Sequence, residues 1–314
     1  MTNQIAFLFP GQGSQSVGMG QTFYESYEEI KKMYEKADQI LGYKLSDLML
    51  NGPEDRLTKT ENTQPALFLL SAAIFNLIEK EGIIPNAVAG HSLGEYSALY
   101  ASKSLSFDDA IHLVHMRGKL MEEAVPSGQG TMAAVLGADE TLIEEVTKKV
   151  TDAGDVVNVA NFNSPGQIVI SGTKEGVLKA TELLKNNGAK RVIPLNVSGP
   201  FHSELMRPAS TTFSQELNQV TINDAEIPVY ANVTAKPVQN REDIQNLLIE
   251  QLFSPVQFTQ SIEQMITDGI DTFVEVGNGK VLSGLVKKIN RKVTIYSVND
   301  VESYQQFIKA IKEE

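Results

Sequence analysis

The chain contains no cysteine among its 314 residues. A disulfide scaffold, a thiolate metal site and a cysteine nucleophile are therefore excluded, and a reducing compartment is compatible with the composition. A long apolar run is also missing. The longest nearly apolar stretch, residues 65–78, is interrupted by Ser71 and Asn76 and is too short to span a bilayer. We therefore expect no membrane span.

The first residues lack the basic segment that opens a signal peptide. The apolar run Ile5–Phe9 follows them at once and is more typical of a β-strand. Together with the absence of a membrane span, this predicts a cytoplasmic protein.

The chain has fewer basic than acidic residues. The chain has 27 Lys and Arg against 39 Asp and Glu, which gives a formal net charge of −12. Binding to nucleic acid requires clustered basic residues that neutralise phosphates, so we expect no nucleic-acid partner, and the charge gives no support for a membrane-surface role. An anionic ligand would need a local basic patch. With 42% hydrophobic and 21% charged residues, the composition is that of a globular protein.

The flanking parts of the chain follow an α/β pattern. Before residue 127 we predict strands at Ile5–Phe9 and 87–89 and helices at 22–41, 65–80, 93–102 and 107–125, the last capped by Ser106. After residue 198, strands at 228–232 and Thr272–Val276 alternate with helices. These two segments, 1–127 and 198–314, are predicted to form one large α/β-hydrolase-like domain with a parallel sheet.

The middle of the chain has a different order of elements. Strands at 132–136, 156–160, 167–171 and 190–195 and helices at 140–151 and Lys174–Asn186 give the sequence β-α-β-β-α-β. That order is typical of a ferredoxin-like unit. Residues 128–197 are therefore predicted to form a small subdomain inserted into the large one, with a ligand cleft where the two meet.

Ser92 lies in the sequence G-x-S-x-G, between a short apolar strand and a helical pattern. This is the setting of a nucleophile elbow, in which glycines permit a tight turn and the next N–H faces the developing oxyanion. The five residues alone are also compatible with a simple surface turn before a helix.

A serine nucleophile needs a general base, and the chain has four histidines. His202 follows a predicted strand on a Gly-Pro loop, a kind of loop that often carries reactive side chains. His91 adjoins the serine, so the turn should direct its ring elsewhere. His112 and His115 lack an acidic partner at ligand spacing and are interpreted as helix-face residues, so no metal site is predicted. An ordinary loop role for His202 stays open at this point.

The sequence does not identify an acidic residue that would complete a catalytic triad with Ser92 and His202. Hydrolases of the α/β type place an Asp or Glu between the serine and the histidine, but no acid between Ser92 and His202 stands out. A main-chain carbonyl can also orient an imidazole. A Ser-His dyad is therefore preferred over a triad.

A second glycine cluster, residues 9–15, follows the first strand. It fails as a dinucleotide fingerprint because Ser16 stands at the third glycine position, and it lacks the Lys-Ser/Thr pair of a phosphate loop. Gln12 could donate to an oxyanion from this position, and a plain turn is the alternative.

Six segments together resemble the malonyl-CoA:acyl carrier protein transacylases of fatty acid synthesis and, more distantly, the acyltransferase domains of polyketide synthases. They are 9–15 (FPGQGSQ), 90–95 (GHSLGE), 116–118 (MRG), 161–167 (NFNSPGQ), 199–203 (GPFHS) and 251–256 (QLFSPV). Each segment alone is weak, but all six in order make a specific match that runs nearly end to end.

The resemblance implies a role for five residues. Ser92 would attack the malonyl thioester, and His202 would take its proton and return it to the departing coenzyme A thiol. Gln12 and Leu93 would supply main-chain N–H groups to the oxyanion. Gln251 would orient His202 through its main-chain carbonyl, which agrees with the missing acid.

The resemblance also implies how the acyl group is recognised. Arg117 would pair with the free carboxylate of the malonyl group, and Arg207 is the rival because it lies five residues after His202. Phe201 would crowd an α-methyl group, so a preference for malonyl over methylmalonyl units is expected. The remaining residues expected to line the pocket, although each is also a common core residue, are Met121, Met132 and Val281.

The partners implied are malonyl-CoA and holo-acyl carrier protein, with no cofactor beyond the substrates, and a monomer is expected. An acidic carrier would need a basic docking face, for which the candidates are Lys190, Arg191, Lys280, Lys287 and Lys288. A serine esterase or thioesterase shares the first half-reaction and is the alternative, as is an acyltransferase serving a polyketide pathway. A non-catalytic scaffold is disfavoured by the intact set of candidate residues.

Overall fold

Two β-sheets organise the chain in the computed structural model, which describes residues 3–126 and 128–313. The strands are β1 (Ile5–Phe9), β2 (Ala87–Gly90), β3 (Gly130–Leu136), β4 (Val157–Ser164), β5 (Gln167–Thr173), β6 (Arg191–Pro194), β7 (Val229–Tyr230), β8 (Pro237–Val238), β9 (Thr272–Val276) and β10 (Thr294–Val298). The predicted domain limits at residues 1, 127 and 314 lie outside the described residues.

Fourteen helices are present within these residues, together with a 3-10 helix at Glu204–Met206. The α-helices are α1 (Gln21–Ser26), α2 (Glu28–Leu41), α3 (Leu45–Asn51), α4 (Glu54–Leu57), α5 (Thr60–Lys80), α6 (Gly94–Ala101), α7 (Phe107–Glu123), α8 (Glu140–Asp152), α9 (Lys174–Asn186), α10 (Arg207–Leu217), α11 (Arg241–Gln251), α12 (Phe258–Thr267), α13 (Val281–Ile289) and α14 (Val301–Glu313). Across the described part of the chain, none of them has both the length and the apolar character that crossing a bilayer requires.

The larger sheet has six strands in the order β10-β9-β1-β2-β7-β8. All its pairings are parallel except that of β8 with β7. The central strand β1 is buried along its whole length, and helices pack on it. Because the carboxyl ends of parallel strands lie at one edge, the loops that follow β1 and β2 meet there. This edge is where a ligand site is expected, and the mixed α/β class predicted from the sequence is confirmed.

The smaller sheet is antiparallel and has the order β4-β5-β3-β6. Its core includes residues from α8 and α9. Strand β4 also reaches the rest of the molecule: the Phe162 N–H donates to the Val256 carbonyl at 2.9 Å, and the Val256 N–H donates to the Ala160 carbonyl at 2.8 Å. These bonds fix the small sheet against the segment that precedes α12.

Two helix boundaries differ from the prediction. The helix expected over 22–41 is two helices, α1 and α2, because Tyr27 between them is extended and packs its ring against Phe23 and Tyr304. Helix α5 begins five residues before Pro65, where the helix was predicted to start. Pro65 has no N–H for the carbonyl one turn earlier, that of Glu61, and this carbonyl instead accepts from a histidine side chain of α7.

Helix α5 packs closely on α7 at Gly118. A Cβ added to Gly118 would lie 2.5 Å from the Thr60 carbonyl oxygen. The close approach brings the first turn of α5 against the middle of α7, the part of that helix that carries Arg117. The predicted N-cap of α7 is present, since the Ser106 hydroxyl accepts from the Asp109 N–H at 3.1 Å.

Candidate active site

Ser92 lies in the tight turn between β2 and α6, with the positive φ of 51° that a nucleophile elbow requires. The flanking glycines leave no room for side chains. A Cβ on Gly90 would lie 1.9 Å from the Gly94 carbonyl carbon, and a Cβ on Gly94 would lie 2.0 Å from the Phe9 carbonyl oxygen. The turn therefore requires both glycines of the motif, and the alternative of an ordinary surface turn is not what the chain adopts.

His202 is the ring that meets the serine. Its Nε2 lies 2.7 Å from the Ser92 Oγ, and its Nδ1 lies 2.8 Å from the main-chain carbonyl oxygen of Gln251. A carbonyl only accepts, so Nδ1 carries the proton and Nε2 is left to accept from the serine hydroxyl. Burial, followed by the nearby Arg117 guanidinium, lowers the pKa of His202 to about 3. The ring is therefore neutral at neutral pH, which is the form whose Nε2 can accept the serine proton.

Arg117 is fully buried and lies beside the reacting hydroxyl. Its Nη2 donates to the Ser92 Oγ at 3.0 Å and to the Gln251 Oε1 at 2.9 Å, while its Nη1 donates to the Gln64 Oε1 at 2.8 Å. Its guanidinium carbon lies 5.4 Å from the centre of the Tyr96 ring. Burial lowers the pKa of Arg117, but a guanidinium stays protonated in proteins. The site thus contains a fixed positive charge.

Arg207, the rival for a substrate carboxylate, lies elsewhere. It is exposed, donates two hydrogen bonds to the Glu204 carboxylate at 2.7 and 2.8 Å, and stacks 4.0 Å from the centre of the Phe253 ring. It lines a separate, larger groove of about 610 Å³. The structure therefore brings Arg117, and not Arg207, to Ser92.

A cavity of about 100 Å³ opens at the serine. A cavity needs about 10–15 Å³ of such space to hold one water, so this volume has room for a short acyl group. Its lining residues are Gln12, Gln64, His91, Ser92, Leu93, Arg117, Met121, Met132, Asn161, Leu195, Val197, Phe201 and His202. Strands β3 and β4 of the small sheet and the loops that follow β1 and β2 of the large sheet contribute, so the cavity lies in the cleft between the two sheets.

The structure places most of the sequence-predicted pocket residues at this cavity. Gln12 and Leu93 line it on the large-sheet side, from the loop after β1 and from the start of α6. Met121, Met132 and Phe201 also line it, each buried. The structure does not bring Val281 to the cavity: that residue is 51% exposed in the first turn of α13.

The other histidines have separate partners. The His91 Nε2 lies 2.8 Å from the Asn163 Oδ1, so its ring is held against the small sheet, although it also lines the cavity. On α7, the His112 Nε2 lies 3.5 Å from a Glu216 oxygen, and the His115 Nδ1 lies 3.0 Å from the Glu61 carbonyl oxygen. Over the described ranges 3–126 and 128–313, no group of three or more His, Asp and Glu side chains is arranged to hold a metal ion.

Sequence reasoning missed two polar residues that hold the elbow. The Asn232 Oδ1 accepts from the Ser92 N–H at 2.8 Å, and its Nδ2 donates to the Gly90 carbonyl at 2.7 Å. The Glu95 carboxylate, only 3% exposed, accepts from the Asn232 N–H at 3.0 Å. Asn232 was predicted as the end of a strand, and it is 140 residues from Ser92, so only the fold reveals the contact. Glu95 offered one signal, since it is an acid directly after the G-x-S-x-G sequence.

A family model described as "Acyl transferase domain" matches residues 6–310. The chain belongs to this acyl transferase family. The malonyl CoA-acyl carrier protein transacylase of Bacillus subtilis (strain 168) is 52% identical over 312 residues, which cover 99% of this acyl transferase and 98% of that protein. The corresponding protein of Staphylococcus aureus (strain MRSA252) is 45% identical over 300 residues, or 96% and 97% of the two chains.

Solved structures agree with this acyl transferase assignment. An acyl carrier protein S-malonyltransferase from Vibrio cholerae O1 biovar eltor matches with a TM-score of 0.95 and 42% identity, covering 97% of this chain and 100% of that one. A malonyl-transacylase solved in complex with a type II PKS acyl-carrier protein matches with a TM-score of 0.95 and 41% identity, covering 98% and 100%. The resemblance recognised in the sequence is thereby confirmed, and the chain is an acyltransferase.

Proposed function

We propose that this acyltransferase moves a malonyl group from malonyl-CoA to the phosphopantetheine thiol of acyl carrier protein, in two half-reactions joined by an ester on Ser92. One observation carries the proposal. The Ser92 hydroxyl lies 2.7 Å from an imidazole nitrogen and 3.0 Å from a buried guanidinium. A nucleophile, its base and a counter-charge for a carboxylate thus meet within a cavity of short-acyl size.

In the first half-reaction the Ser92 Oγ attacks the thioester carbonyl carbon and gives its proton to the His202 Nε2. The carbonyl oxygen becomes an oxyanion, which the main-chain N–H groups of Leu93 and Gln12 would stabilise near the N-terminus of α6. The carbon–sulfur bond then breaks, and His202 returns the proton to the leaving sulfur. The products are malonyl-Ser92 and free coenzyme A.

The second half-reaction runs the same steps with a different thiol. The phosphopantetheine thiol gives its proton to the His202 Nε2 and attacks the ester carbonyl, and the proton then returns to the Ser92 Oγ as the carbon–oxygen bond breaks. The Gln251 carbonyl holds the His202 tautomer throughout. The chain and the two substrates supply every group that these steps use.

Arg117 would pair with the free carboxylate of the bound malonyl group. A planar guanidinium matches a carboxylate with two parallel hydrogen bonds, and burial strengthens the pairing because water does not compete. Phe201 would crowd a methyl group on the adjacent carbon. One methyl group is worth about 1–3 kcal/mol of discrimination in an apolar pocket, so we expect a preference and not exclusion.

A finer description of the architecture belongs to the same proposal. Residues 128–197 would form a ferredoxin-like subdomain inserted into a large α/β-hydrolase-like domain made of 1–127 and 198–314. The order β4-β5-β3-β6 supports this, because it puts the first and third strands of the β-α-β-β-α-β unit side by side at the centre. The cavity between the sheets would then be the cleft between domain and insert. The cytoplasmic location and the monomeric state predicted from the sequence stay predictions.

Two alternatives differ in what accepts the acyl group. A serine esterase or thioesterase would pass it to water, and an acyltransferase of a polyketide pathway would pass it to a different carrier. The match to a malonyl-transacylase solved with a type II PKS acyl-carrier protein keeps the second alternative in view. Incubation with malonyl-CoA and holo-carriers of both kinds separates the three. Release of free malonate without an acylated carrier would support the esterase.

The covalent step has a direct test. Intact-protein mass spectrometry after mixing with malonyl-CoA should show one malonyl adduct, because His202 activates only Ser92 in the cavity. Ser92→Ala removes the nucleophile and should abolish the adduct, while Ser203→Ala, which changes a buried hydroxyl that donates to the Pro200 carbonyl instead, should retain it. An adduct that survives in Ser92→Ala would show that another residue is the nucleophile.

A further inference from the structure

The proposed reaction leaves one buried carboxylate of the site without a role. Glu95 is 3% exposed and lies in the first turn of α6, three residues after the nucleophile. One of its oxygens, Oε2, accepts two hydrogen bonds, from the Asn232 N–H at 3.0 Å and from the Gln251 Nε2 at 2.8 Å. Through these two partners Glu95 is connected to the nucleophile, and also to the base and the arginine.

The first partner connects Glu95 to the nucleophile. The Asn232 side chain clamps the elbow, since it accepts from the Ser92 N–H and donates to the Gly90 carbonyl. Ser92 has a positive φ, which costs about 1–3 kcal/mol for a residue with a side chain and persists only when its surroundings hold it. By fixing the Asn232 main chain, Glu95 holds the clamp that keeps this strained turn in place.

The second partner connects Glu95 to the base and to the arginine. The Gln251 amide donates to Glu95 and accepts from the Arg117 Nη2 at 2.9 Å. A carboxylate only accepts and a guanidinium only donates, so the amide has a single orientation that satisfies both. The main-chain carbonyl of the same Gln251 accepts from the His202 Nδ1.

We propose that Glu95 is a positioning residue of the acyl transfer: its carboxylate holds Asn232 and Gln251, and through them it keeps Ser92, His202 and Arg117 in one arrangement. It touches neither substrate in this assignment. The inference rests on the proposed function, because the arrangement that it explains is the one used for transfer from Ser92.

The charge of Glu95 contributes as well as its shape. Burial raises the pKa of Glu95 to about 7, against the lowering effect of its hydrogen bonds and of Arg117. The charged and titratable groups that interact with it are Arg117 from α7 and Tyr96 from its own helix. The carboxylate form offsets the buried guanidinium and accepts both hydrogen bonds, so the active form is the deprotonated one.

The ionisation of Glu95 predicts that the rate of malonyl-Ser92 formation depends on pH in a defined direction. Below the pKa of about 7, Glu95 is protonated and positions Gln251 less well, and above it the carboxylate forms. The rate of malonyl-Ser92 formation should therefore rise as the pH passes through about 7 and then level off. In the free enzyme His202 has a pKa lowered to about 3 and is neutral across this range. We therefore assign an inflection near neutral pH to Glu95, and the Glu95 variants test this assignment.

The test compares Glu95→Gln and Glu95→Ala with a matched control, Glu275→Gln. Glu275 is also a buried carboxylate that accepts two N–H bonds, from Leu282 and Ser283 at 3.0 and 2.7 Å, but it lies on β9, and within the described residues its carboxylate makes no hydrogen bond to the elbow. Quenched-flow mass spectrometry measures malonyl-Ser92 formation between pH 5 and 9 for each full-length protein.

We expect Glu95→Gln to lose the inflection and to react about tenfold more slowly than the wild type at pH 8, because neutral hydrogen bonds are roughly half as strong as charge-assisted ones. Glu95→Ala should fall by about 100-fold, since small misplacements at a reacting centre cost that much. Glu275→Gln should keep the wild-type inflection. A Glu95→Gln enzyme with an unchanged profile and rate would overturn the inference, while its adduct would still support transfer through Ser92.

A measurement on the wild type keeps the inference testable if the Glu95 variants do not fold. Nitrogen-15 NMR of histidine-labelled enzyme reports the protonation of the His202 ring directly. We expect that ring to stay neutral while the rate changes. A His202 ring that gains its proton together with the loss of rate would overturn the inference. Absence of any adduct in the wild type would instead defeat the proposed function itself.

Discussion

Arg117 is a positive charge placed where water does not reach. Its Nη groups are shared among Gln64, Gln251 and the Ser92 hydroxyl, and the Nε has no partner among the described residues. These acceptors are neutral, and the Glu95 carboxylate interacts with Arg117 without being one of them, so the buried charge is less well compensated than one bonded directly to a carboxylate. A malonyl carboxylate would supply that partner and would also shield His202 from the guanidinium, which contributes to lowering the pKa of that ring. In the proposed reaction, selectivity and activation would therefore depend on the same residue.

Arg117→Ala should shift the preference of the enzyme from malonyl-CoA toward acetyl-CoA. Removing one partner of a buried hydrogen-bonded charge pair costs about 2–5 kcal/mol. Since about 1.4 kcal/mol is a factor of ten, the malonyl-to-acetyl ratio of kcat/KM should fall at least about 30-fold. Steady-state assays with both donors measure the ratio, and Arg207→Ala is the control because that side chain is exposed and bound to Glu204. If only Arg207→Ala changed the ratio, the carboxylate partner would be Arg207.

At the level of single residues, the sequence indicates those whose chemistry is visible in a motif. Ser92, His202 and Gln12 stand in glycine-rich turns beside predicted strands, and such turns occur where a chain needs tight geometry. Glu95 and Asn232 act through contacts across 137 residues of chain, which no local pattern encodes. Val281 shows the converse limit, since an apolar residue suits a pocket and a helix surface equally well, and the structure leaves this one exposed on α13.

Helices and strands are predictable here as far as local patterning determines them. The strand Ile5–Phe9 and the helix Lys174–Asn186 have the predicted bounds, because each is a clear apolar or amphipathic run between breaking residues. The break at Tyr27 could not be predicted, because it depends on a ring from α14. The early start of α5 depends on His115, which satisfies the carbonyl that Pro65 leaves without a donor. Tertiary contacts decided both boundaries.

Replacing a helical glycine by alanine should have opposite effects on stability at two positions, because only one of them lies in a close helix contact. Alanine normally stabilises a helix interior by about 1 kcal/mol relative to glycine. Gly284→Ala on α13 should gain this amount, since an added Cβ meets nothing within 4 Å. Gly118→Ala on α7 should instead destabilise by about 1–3 kcal/mol, because its Cβ would press on the α5 main chain, 2.5 Å from the Thr60 carbonyl.

Urea unfolding measures both glycine variants. The Gly118→Ala enzyme should also lose part of its preference for malonyl-CoA, because any shift between α5 and α7 moves the neighbouring Arg117 against Gln64 of α5. Equal stability of the two alanine variants would show that the close approach at Gly118 does not govern the packing of these helices.

At the scale of the molecule, the fold gathers four of the five candidate basic residues at one end of the small sheet. Leu136 pairs with both Arg191 and Gln167 across adjacent strands, and the Lys288 Nζ donates to the Gln167 Oε1 at 3.1 Å. Strand spacing puts Arg191 and Gln167 roughly 10 Å apart. Lys190 is the exposed chain neighbour of Arg191, and Lys287 is that of Lys288. Lys280 lies at the far end of α13. This basic end stands out on a chain with a net charge of −12.

Reversing the charge at this basic end should weaken the binding of carrier protein and leave the binding of malonyl-CoA unchanged. The double variant Lys190→Glu/Arg191→Glu should raise the KM for holo-carrier, because an acidic carrier would meet repulsion there, and the effect should shrink at high salt as screening increases. Lys309→Glu/Lys312→Glu on α14 changes the net charge equally and is the control. The phosphopantetheine arms of both substrates would enter the same cleft, so a face that contacts only the carrier protein should change one KM value and not the other. If both rose together, the basic end would act on the enzyme's fold or its cleft, and the carrier would have to dock on another face.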